Sequence, residues 1–285
     1  MKLFENLPDY SDYLSENPIH ELLGIDLDTY GVQDERLEDM ADRLGRKIPK
    51  DLYSSVNPDN NVPFPAELDD LIRLHSLITS RKVVTILEFG VGMSTPVFDH
   101  ALRKNEKAFK SFVTENLRRS NPFEVHSIDN NLEWIESTKK TYHSLSRKSF
   151  LHHCTCEVSH FNDRICTYYN NIPNVCPDFI YLDAPDQFSP SGNIRGINTR
   201  HPDRLPMSAD ILSIEHFLLP GTLLVVDGRT ANARFLKSNL QRNWEYNYVE
   251  AYDQHFFEMK ELPLGPYNKT QIEFCLGSDW LKDLS

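Results

Sequence analysis

Polar residues that could bind a small molecule follow four apolar runs in this sequence of 285 residues. The first run leads into a segment with two glycines, Glu88–Ser94, and the other three end at Asp129, Asp183 and Asp227. A glycine at position 90 would allow a sharp turn, and a glycine at position 92 would let a ligand approach the backbone because no Cβ intervenes. A carboxylate beside such a turn could take a proton from a reacting group.

The elements that must position these groups alternate between apolar strands and amphipathic helices. Strands are predicted at Val83–Phe89, Glu124–Ile128, Phe150–Val158, Phe179–Leu182 and Thr222–Val226, with two late strands near Tyr246–Phe257 and Thr270–Leu276. Helices are predicted at Ala66–Ile78, Thr95–Leu102, Leu132–Leu145, Ser208–Leu219 and Ala231–Leu240. Strands separated by helices indicate a parallel sheet covered on both faces. The predicted fold class is α/β, with a doubly wound and mostly parallel sheet, whose ligands bind at the carboxyl ends of the strands.

The first 65 residues have a different, irregular pattern. Short helices are predicted at Asp9–Tyr13, Glu21–Leu27 and Glu35–Leu44, and Val56–Pro65 is a proline-rich connector. We therefore divide the chain into a helical extension, residues 1–65, and an α/β domain, residues 66–285. The extension could cap the active site or form the surface of a homodimer.

Composition argues against several classes of function, although a local basic patch could still bind a phosphate backbone or an anionic membrane. The formal net charge is −12, from 42 acidic and 30 basic residues, which argues against nucleic acid or an anionic membrane as a partner. The first ten residues lack the apolar core of a signal peptide, and no apolar run is long enough to span a membrane, so a cytoplasmic protein is expected. The five cysteines lack the paired spacing of a zinc site, so reduced thiols are expected.

The glycine segment resembles the first motif of class I S-adenosylmethionine-dependent methyltransferases, acid-x-Gly-x-Gly-x-(Gly/Ser/Thr). The matching residues are Glu88, Gly90, Gly92 and Ser94. The resemblance implies a Rossmann-like methyltransferase fold in which this loop wraps the methionine part of S-adenosylmethionine. It also implies that an acid ending the second strand holds the ribose hydroxyls. Asp129 is at that position, and the expected cofactor-binding set extends to Asn130.

The segment Pro177–Gln187 resembles the family's fourth motif, which delivers an acid beside the methyl group. Asp183 matches that acid and is the predicted catalytic residue, either as a base or as a group that orients the acceptor; a turn cap is the structural alternative. The expected acceptor is a small molecule that reacts through an oxygen. Further along the chain, the predicted substrate-binding residues are Arg195, Arg200, His201, Asp227 and Arg229.

The first three of these substrate-binding residues lie in the long segment Phe188–Met207, which could cover an acceptor. Arginines in an acidic protein favour an anionic acceptor, although a solvated loop would have the same composition. Gly228 stands where metal-dependent relatives carry Asn, so no metal is predicted.

Two alternatives stay open at this point. An NAD-dependent oxidoreductase would use the same sheet, but its fingerprint Gly-x-Gly-x-x-Gly has Thr95 at the last position here. Asp129 also follows Gly92 by 37 residues, where about 20 is usual for that fingerprint. We expect a longer helix or a surface insertion to absorb the extra residues. The second alternative is a binding module that keeps the fold without catalysis.

Overall fold

The computed structural model describes residues 10–28, 67–201 and 203–284. Its centre is a sheet of seven strands in the order β3-β2-β1-β6-β7-β9-β8. These strands are β1 Thr85–Phe89, β2 Glu124–Asp129, β3 Ser149–His153, β6 Phe179–Leu182, β7 Leu223–Asp227, β8 Trp244–Val249 and β9 Gln254–Met259. All of them run parallel except β9, which is antiparallel to both of its neighbours. The strand order reverses between β1 and β6, which is where doubly wound sheets bind ligands. The predicted fold class is confirmed.

Helices cover both faces of this sheet. They are α1 Tyr10–Glu16, α2 Ile19–Leu22, α3 Leu68–Ser80, α4 Ser94–Asn116, α5 Leu132–Thr141, α6 Asp210–Ile214, α7 Thr230–Asn239, α8 Pro266–Leu276 and α9 Ser278–Lys282. The 23 residues of α4 absorb most of the extra length between Gly92 and Asp129, as expected. None of the helices within the described ranges combines the length and apolar character that crossing a bilayer requires.

The strands form because their side chains enter two cores, one on each face of the sheet. In β1, all five residues are buried, and alternate side chains enter opposite cores: Leu87 and Phe89 on one face, Ile86 on the other. The strand β6 alternates in the same way. A continuous apolar run therefore marks a central strand that is buried on both faces.

Several predicted elements differ from those observed. Thr270–Leu276, predicted as a strand, belongs to the helix α8, and the single strand predicted near Tyr246–Phe257 is the hairpin of β8 and β9. The run Phe150–Val158 covers parts of two strands, because β3 ends at His153 and a new strand, β4 (Cys156–Phe161), begins three residues later. The predicted helix Ser208–Leu219 is interrupted, with α6 followed by a turn of 3₁₀ helix.

An antiparallel hairpin of β4 and β5 (Arg164–Tyr169) forms a second, two-stranded sheet. Its turn residues, Asn162 and Asp163, both have positive φ, of 47° and 61°. Cys156 and Tyr169 from this hairpin are buried in the same core as Phe89 of β1. The hairpin therefore lies against the carboxyl end of the central sheet.

The N-terminal helices pack on α3 through Leu14 and Ile19, which are buried with Leu68 and Ile72. The predicted helix Glu35–Leu44 and the predicted connector Val56–Pro65 lie outside the described residues. The boundary of the extension at residue 65 stays a prediction. All five cysteines are free thiols.

Candidate active site

The turn after β1 is closely fitted to the end of β6. Gly90 has a φ of 111°, a conformation that L side chains rarely adopt, and its N–H donates to the carbonyl of Ile128, 2.8 Å away. A Cβ added at Gly90 would lie 3.2 Å from the Cβ of Ala184 and 3.3 Å from the carbonyl oxygen of Asp183. Glycine at this position thus allows the end of β1 to contact the end of β6.

Gly92 faces open space instead. A Cβ added there would meet no protein atom within 4 Å, and α4 begins two residues later at Ser94. The backbone of the turn is therefore open at this point, and the predicted role of Gly92 in binding the cofactor stays a prediction.

Glu88 supports the turn from beneath. Its side chain is completely buried and accepts hydrogen bonds from the hydroxyls of Ser94, Thr95 and Ser127; the Thr95 bond is 2.8 Å and the Ser127 bond 2.5 Å. Burial raises the pKa of Glu88 to about 7. Thr95 also accepts the N–H of Gly92 at 3.2 Å. The residue that replaces the third fingerprint glycine thus links the motif acid to the turn.

Asp129 holds the turn from the side. Its carboxylate accepts the N–H of Val91 at 3.0 Å and the N–H of Asn131 at 2.8 Å. Burial raises the pKa of Asp129. Asn131 caps α5 by accepting the N–H of Trp134, and the indole N–H of Trp134 donates to the carbonyl of Val91. A carboxylate has about four acceptor positions, so Asp129 can accept further hydrogen bonds.

Asn130 joins this rim to the long segment after β6. It is half-buried, and its side-chain oxygen accepts a hydrogen bond of 3.3 Å from the hydroxyl of Ser189. The carbonyl of Asn130 lies 3.3 Å from Nε2 of His153. The predicted role of Asn130 at the cofactor stays a prediction.

Two carboxylates, Asp183 and Asp227, lie at the ends of the paired strands β6 and β7 and act on each other electrostatically. Asp183 has protein groups close around it but keeps an exposed surface, and Asp227 accepts a hydrogen bond of 2.5 Å from the hydroxyl of Tyr181. Loss of hydration raises the pKa of both carboxyls, and the charge of Asp227 raises that of Asp183 further. The positive charge of Arg229 acts on Asp183 in the opposite direction. Asp183 is thus an accessible carboxyl group whose pKa lies above the ordinary aspartate range.

The loop residues Arg195, Arg200 and His201 are exposed. Nδ1 of His201 accepts the N–H of Asp203 at 3.2 Å, and Arg195 lies in a turn closed by its neighbours Ile194 and Ile197. In the described part of the chain, no hydrogen bond or ion pair joins these three side chains to the carboxylates of the rim. Their role in substrate binding stays a prediction. Within the same described ranges, no group of three or more His, Cys, Asp or Glu side chains is arranged to hold a metal ion.

Sequence reasoning missed four residues that shape this site: Ser127, Thr95, Trp134 and Tyr181. In the sequence pattern, Thr95 stands out only because it replaces the third glycine of the dinucleotide fingerprint. Tyr181 is part of an apolar run, so nothing in the local pattern indicates that its hydroxyl reaches Asp227. Trp134 ends the segment Val125–Trp134, which resembles the family's second motif, but that pattern does not predict the hydrogen bond from Trp134 to the turn.

The strand order and the glycine turn together define a doubly wound, Rossmann-like α/β domain. The chain matches no protein-family model and no curated protein sequence. Its fold is similar to that of CalS11, a TDP-rhamnose 3'-O-methyltransferase of calicheamicin biosynthesis, with a TM-score of 0.44 and 10% identity over 83% of this chain and 100% of that chain.

Two further solved structures are similar to this chain. Methyltransferase PaMTH1 from Podospora anserina, bound to S-adenosylhomocysteine (SAH), has a TM-score of 0.39 and 11% identity, over 80% of this chain and 95% of that chain. An O-methyltransferase from Bacillus cereus, in complex with SAH, has a TM-score of 0.36 and 11% identity, over 84% of this chain and 98% of that chain. At these values the likeness transfers no residue role to this chain.

Proposed function

We propose that this chain is an S-adenosylmethionine-dependent methyltransferase that acts on an oxygen of a small-molecule acceptor. The observation that carries the proposal is the convergence of three strand ends. The Gly90–Gly92 turn is bonded to Asp129 through Val91 and packs against Asp183 and Ala184. The motif resemblance assigns these same segments to the cofactor and to the methyl group.

The residues present fit the cofactor. Asp129 has acceptor capacity left for a ribose hydroxyl, and the backbone at Gly92 is open on the side where the methionine part would lie. Ser94 lies at the start of α4, next to this space. Glu88 acts differently: its oxygens are used by the loop's own hydroxyls, so it shapes the turn and does not face the ligand.

S-adenosylmethionine supplies a methyl group on a positively charged sulfur. Asp183 would accept the proton of the acceptor hydroxyl as the oxygen gains the methyl and the carbon–sulfur bond breaks. A base works best when its pKa is close to the working pH, and the raised pKa of Asp183 moves it in that direction. The rest of the task is alignment of acceptor and methyl group, which the fixed strand ends provide.

Asp227 and Arg229 would tune this base. Tyr181 fixes the carboxylate of Asp227, whose charge raises the pKa of Asp183, and Arg229 opposes that effect. We propose a small-molecule acceptor because a rim of this kind can serve many different acceptors. We propose that the acceptor is anionic because Arg229 carries a positive charge.

The direct test replaces Asp183 by Asn and measures methyl transfer to a panel of small hydroxyl compounds. We expect kcat to fall about 10²- to 10⁴-fold, while the affinity for SAH is unchanged. Wild-type kcat should rise with pH with an apparent pKa above the ordinary aspartate value of about 3.9. Asp227→Asn should lower that apparent pKa, because the repelling charge is gone.

Two outcomes would contradict the proposal. Stabilisation by NAD and not by SAH would indicate the oxidoreductase. If SAH binds but no acceptor is methylated, and Asp183→Asn behaves as wild type, the chain is a binding module that keeps the fold alone.

A further inference from the structure

Three arginines of the described chain are buried, and one of them makes no ion pair with a carboxylate at contact distance. Arg73 pairs with Asp69 at 2.9 Å, and Arg81 pairs with Glu258 at 2.6 Å. Arg229 is only 8% exposed, yet no carboxylate of the described residues lies within 4.0 Å of it. A buried charge is costly unless it is paired. Arg229 makes no ion pair at contact distance, although its charge acts on the nearby carboxyl of Asp183.

The donors of Arg229 are only partly used. Nη2 donates to the carbonyl of Pro185 at 2.5 Å, but Nε is buried without a hydrogen-bond partner. Pro185 follows Asp183 and Ala184 directly. The guanidinium is thus fixed beside the predicted catalytic carboxyl, with a buried N–H group still unsatisfied.

A second unsatisfied group comes from the hairpin. Tyr169, the last residue of β5, is 6% exposed, and its hydroxyl is buried without a partner. Its ring lies 5.9 Å from that of Phe89, and it shares a core with Ala184. The charge of Arg229 also acts on the Tyr169 hydroxyl. The Ala184–Pro185 segment therefore brings Tyr169 and Arg229 to one place.

We infer that Arg229 and Tyr169 anchor a carboxylate group of a molecule bound at this rim. The inference rests on the proposed function for the position of that molecule. Arginine binds carboxylates through charge-assisted hydrogen bonds, and a phenol hydroxyl is a suitable second donor. The carboxylate comes from the methionine part of the cofactor or from the acceptor. In either case it is recognised by buried residues, not by the exposed arginines of the long loop.

The first arm of the test separates these sources by calorimetry. SAH carries the carboxylate, and 5'-methylthioadenosine has the same adenosine and thioether without it. If the cofactor is the source, Arg229→Gln should weaken SAH binding about tenfold to a hundredfold and leave 5'-methylthioadenosine binding unchanged. Tyr169→Phe keeps the ring and should show a smaller loss of the same kind. The exposed Arg147, changed to Gln, is the matched control and should bind both as wild type does.

The second arm detects an acceptor carboxylate. Thermal unfolding of SAH-saturated protein is compared in sodium acetate and in sodium chloride of equal ionic strength. If the acceptor is the source, acetate should raise the Tm of the wild type and of Arg147→Gln, and not that of Arg229→Gln. Arg229→Lys keeps the charge and should retain part of the shift.

Two unchanged quantities would overturn the inference. These are the affinity for SAH relative to 5'-methylthioadenosine, and the change in Tm between acetate and chloride, each measured in Arg229→Gln and Tyr169→Phe. Bound water then satisfies both groups, and their role is structural. If Arg229→Gln does not fold, Tyr169→Phe and Arg229→Lys decide by the same criteria. If the wild type binds neither SAH nor 5'-methylthioadenosine, the proposed function fails. The comparison of acetate with chloride, made on the protein without SAH, then tests by itself whether Arg229 and Tyr169 bind a carboxylate.

Discussion

Glu88 is a buried acid whose ionisation should be visible in the stability of the whole protein. Its pKa in the folded state is about 7, above the ordinary value of about 4.3. A raised pKa means that the folded state prefers the protonated acid. This contribution to stability is complete below the ordinary pKa and is lost as the pH rises through about 7.

Glu88→Gln keeps the shape of the side chain and removes the charge. We expect the free energy of unfolding of the wild type to fall relative to this variant by roughly 1–3 kcal/mol between about pH 5 and pH 8. Urea denaturation at several pH values measures the difference. If the free energies of unfolding of the two proteins changed with pH in parallel, Glu88 would ionise as freely in the folded state as in the unfolded state.

The sequence motif locates this acid correctly but does not reveal its partners. Ser94 and Thr95 are close in sequence to Glu88, whereas Ser127 comes from a different strand, 39 residues away. Whether a motif acid faces a ligand or supports a turn depends on such distant contacts. The positions of Gly90, Gly92 and Asp129 at the rim follow from the strand–turn–helix context, so they could be predicted from local pattern alone.

At the scale of elements, the N-terminal helix α1 docks through a chain of polar side chains. The hydroxyl of Tyr13 lies 2.6 Å from Nδ1 of His75, and Nε2 of His75 lies 2.9 Å from Nδ1 of His100. His75 is fully buried, and burial lowers its pKa to about 3. A lowered histidine pKa gives stability that is present above about pH 6.5 and is lost as the pH falls towards 3.

Tyr13→Phe removes one link of this chain. We expect a loss of about 1 kcal/mol in the docking of α1, so the amides of Tyr10–Glu16 should exchange with solvent about five times faster. Hydrogen exchange at neutral pH measures this. Tyr142→Phe removes a hydroxyl elsewhere and serves as the control. Unchanged protection in Tyr13→Phe would mean that apolar packing alone holds the helix.

The segment Thr270–Leu276, which is predicted as a strand and belongs to the helix α8, shows the limit of predicting an element from local pattern. Ile272, Phe274 and Leu276 alternate with polar residues, which is the period of a strand. Ile272 and Leu276 are also four residues apart, and in α8 both approach Gly221, where an added Cβ would lie 3.3 and 3.1 Å from their side chains. Pro266 at the start of the helix was the available signal against a strand.

The β4–β5 hairpin was missed for a different reason. The pair Asn162–Asp163 between two alternating runs is a typical two-residue hairpin turn, and both residues adopt the positive φ that such turns require. This signal was present in the sequence. The hairpin matters for the proposed carboxylate anchor because it contains Tyr169.

At the scale of the whole molecule, the alternation of strands and helices was sufficient to predict a doubly wound sheet and the edge at which the candidate site residues gather. The order of the strands was not readable, because pairing depends on contacts between distant segments. The reversed strand β9 lies between β7 and β8, although β8 precedes it in the chain. The central sheet brings Gly92, Asp129 and Asp183 to one edge, which is the arrangement that the proposed function requires.

Calorimetric titration with SAH tests this arrangement most directly, with Gly92→Val as the matched variant. No protein atom lies within 4 Å of a Cβ at Gly92, so the valine side chain should fill ligand space without disturbing the fold. We predict that the wild type binds SAH at one site and NAD not at all, and that Gly92→Val binds SAH about a hundredfold more weakly with nearly the same Tm. Equal affinity of the two proteins for SAH, or binding of NAD in its place, would contradict the account.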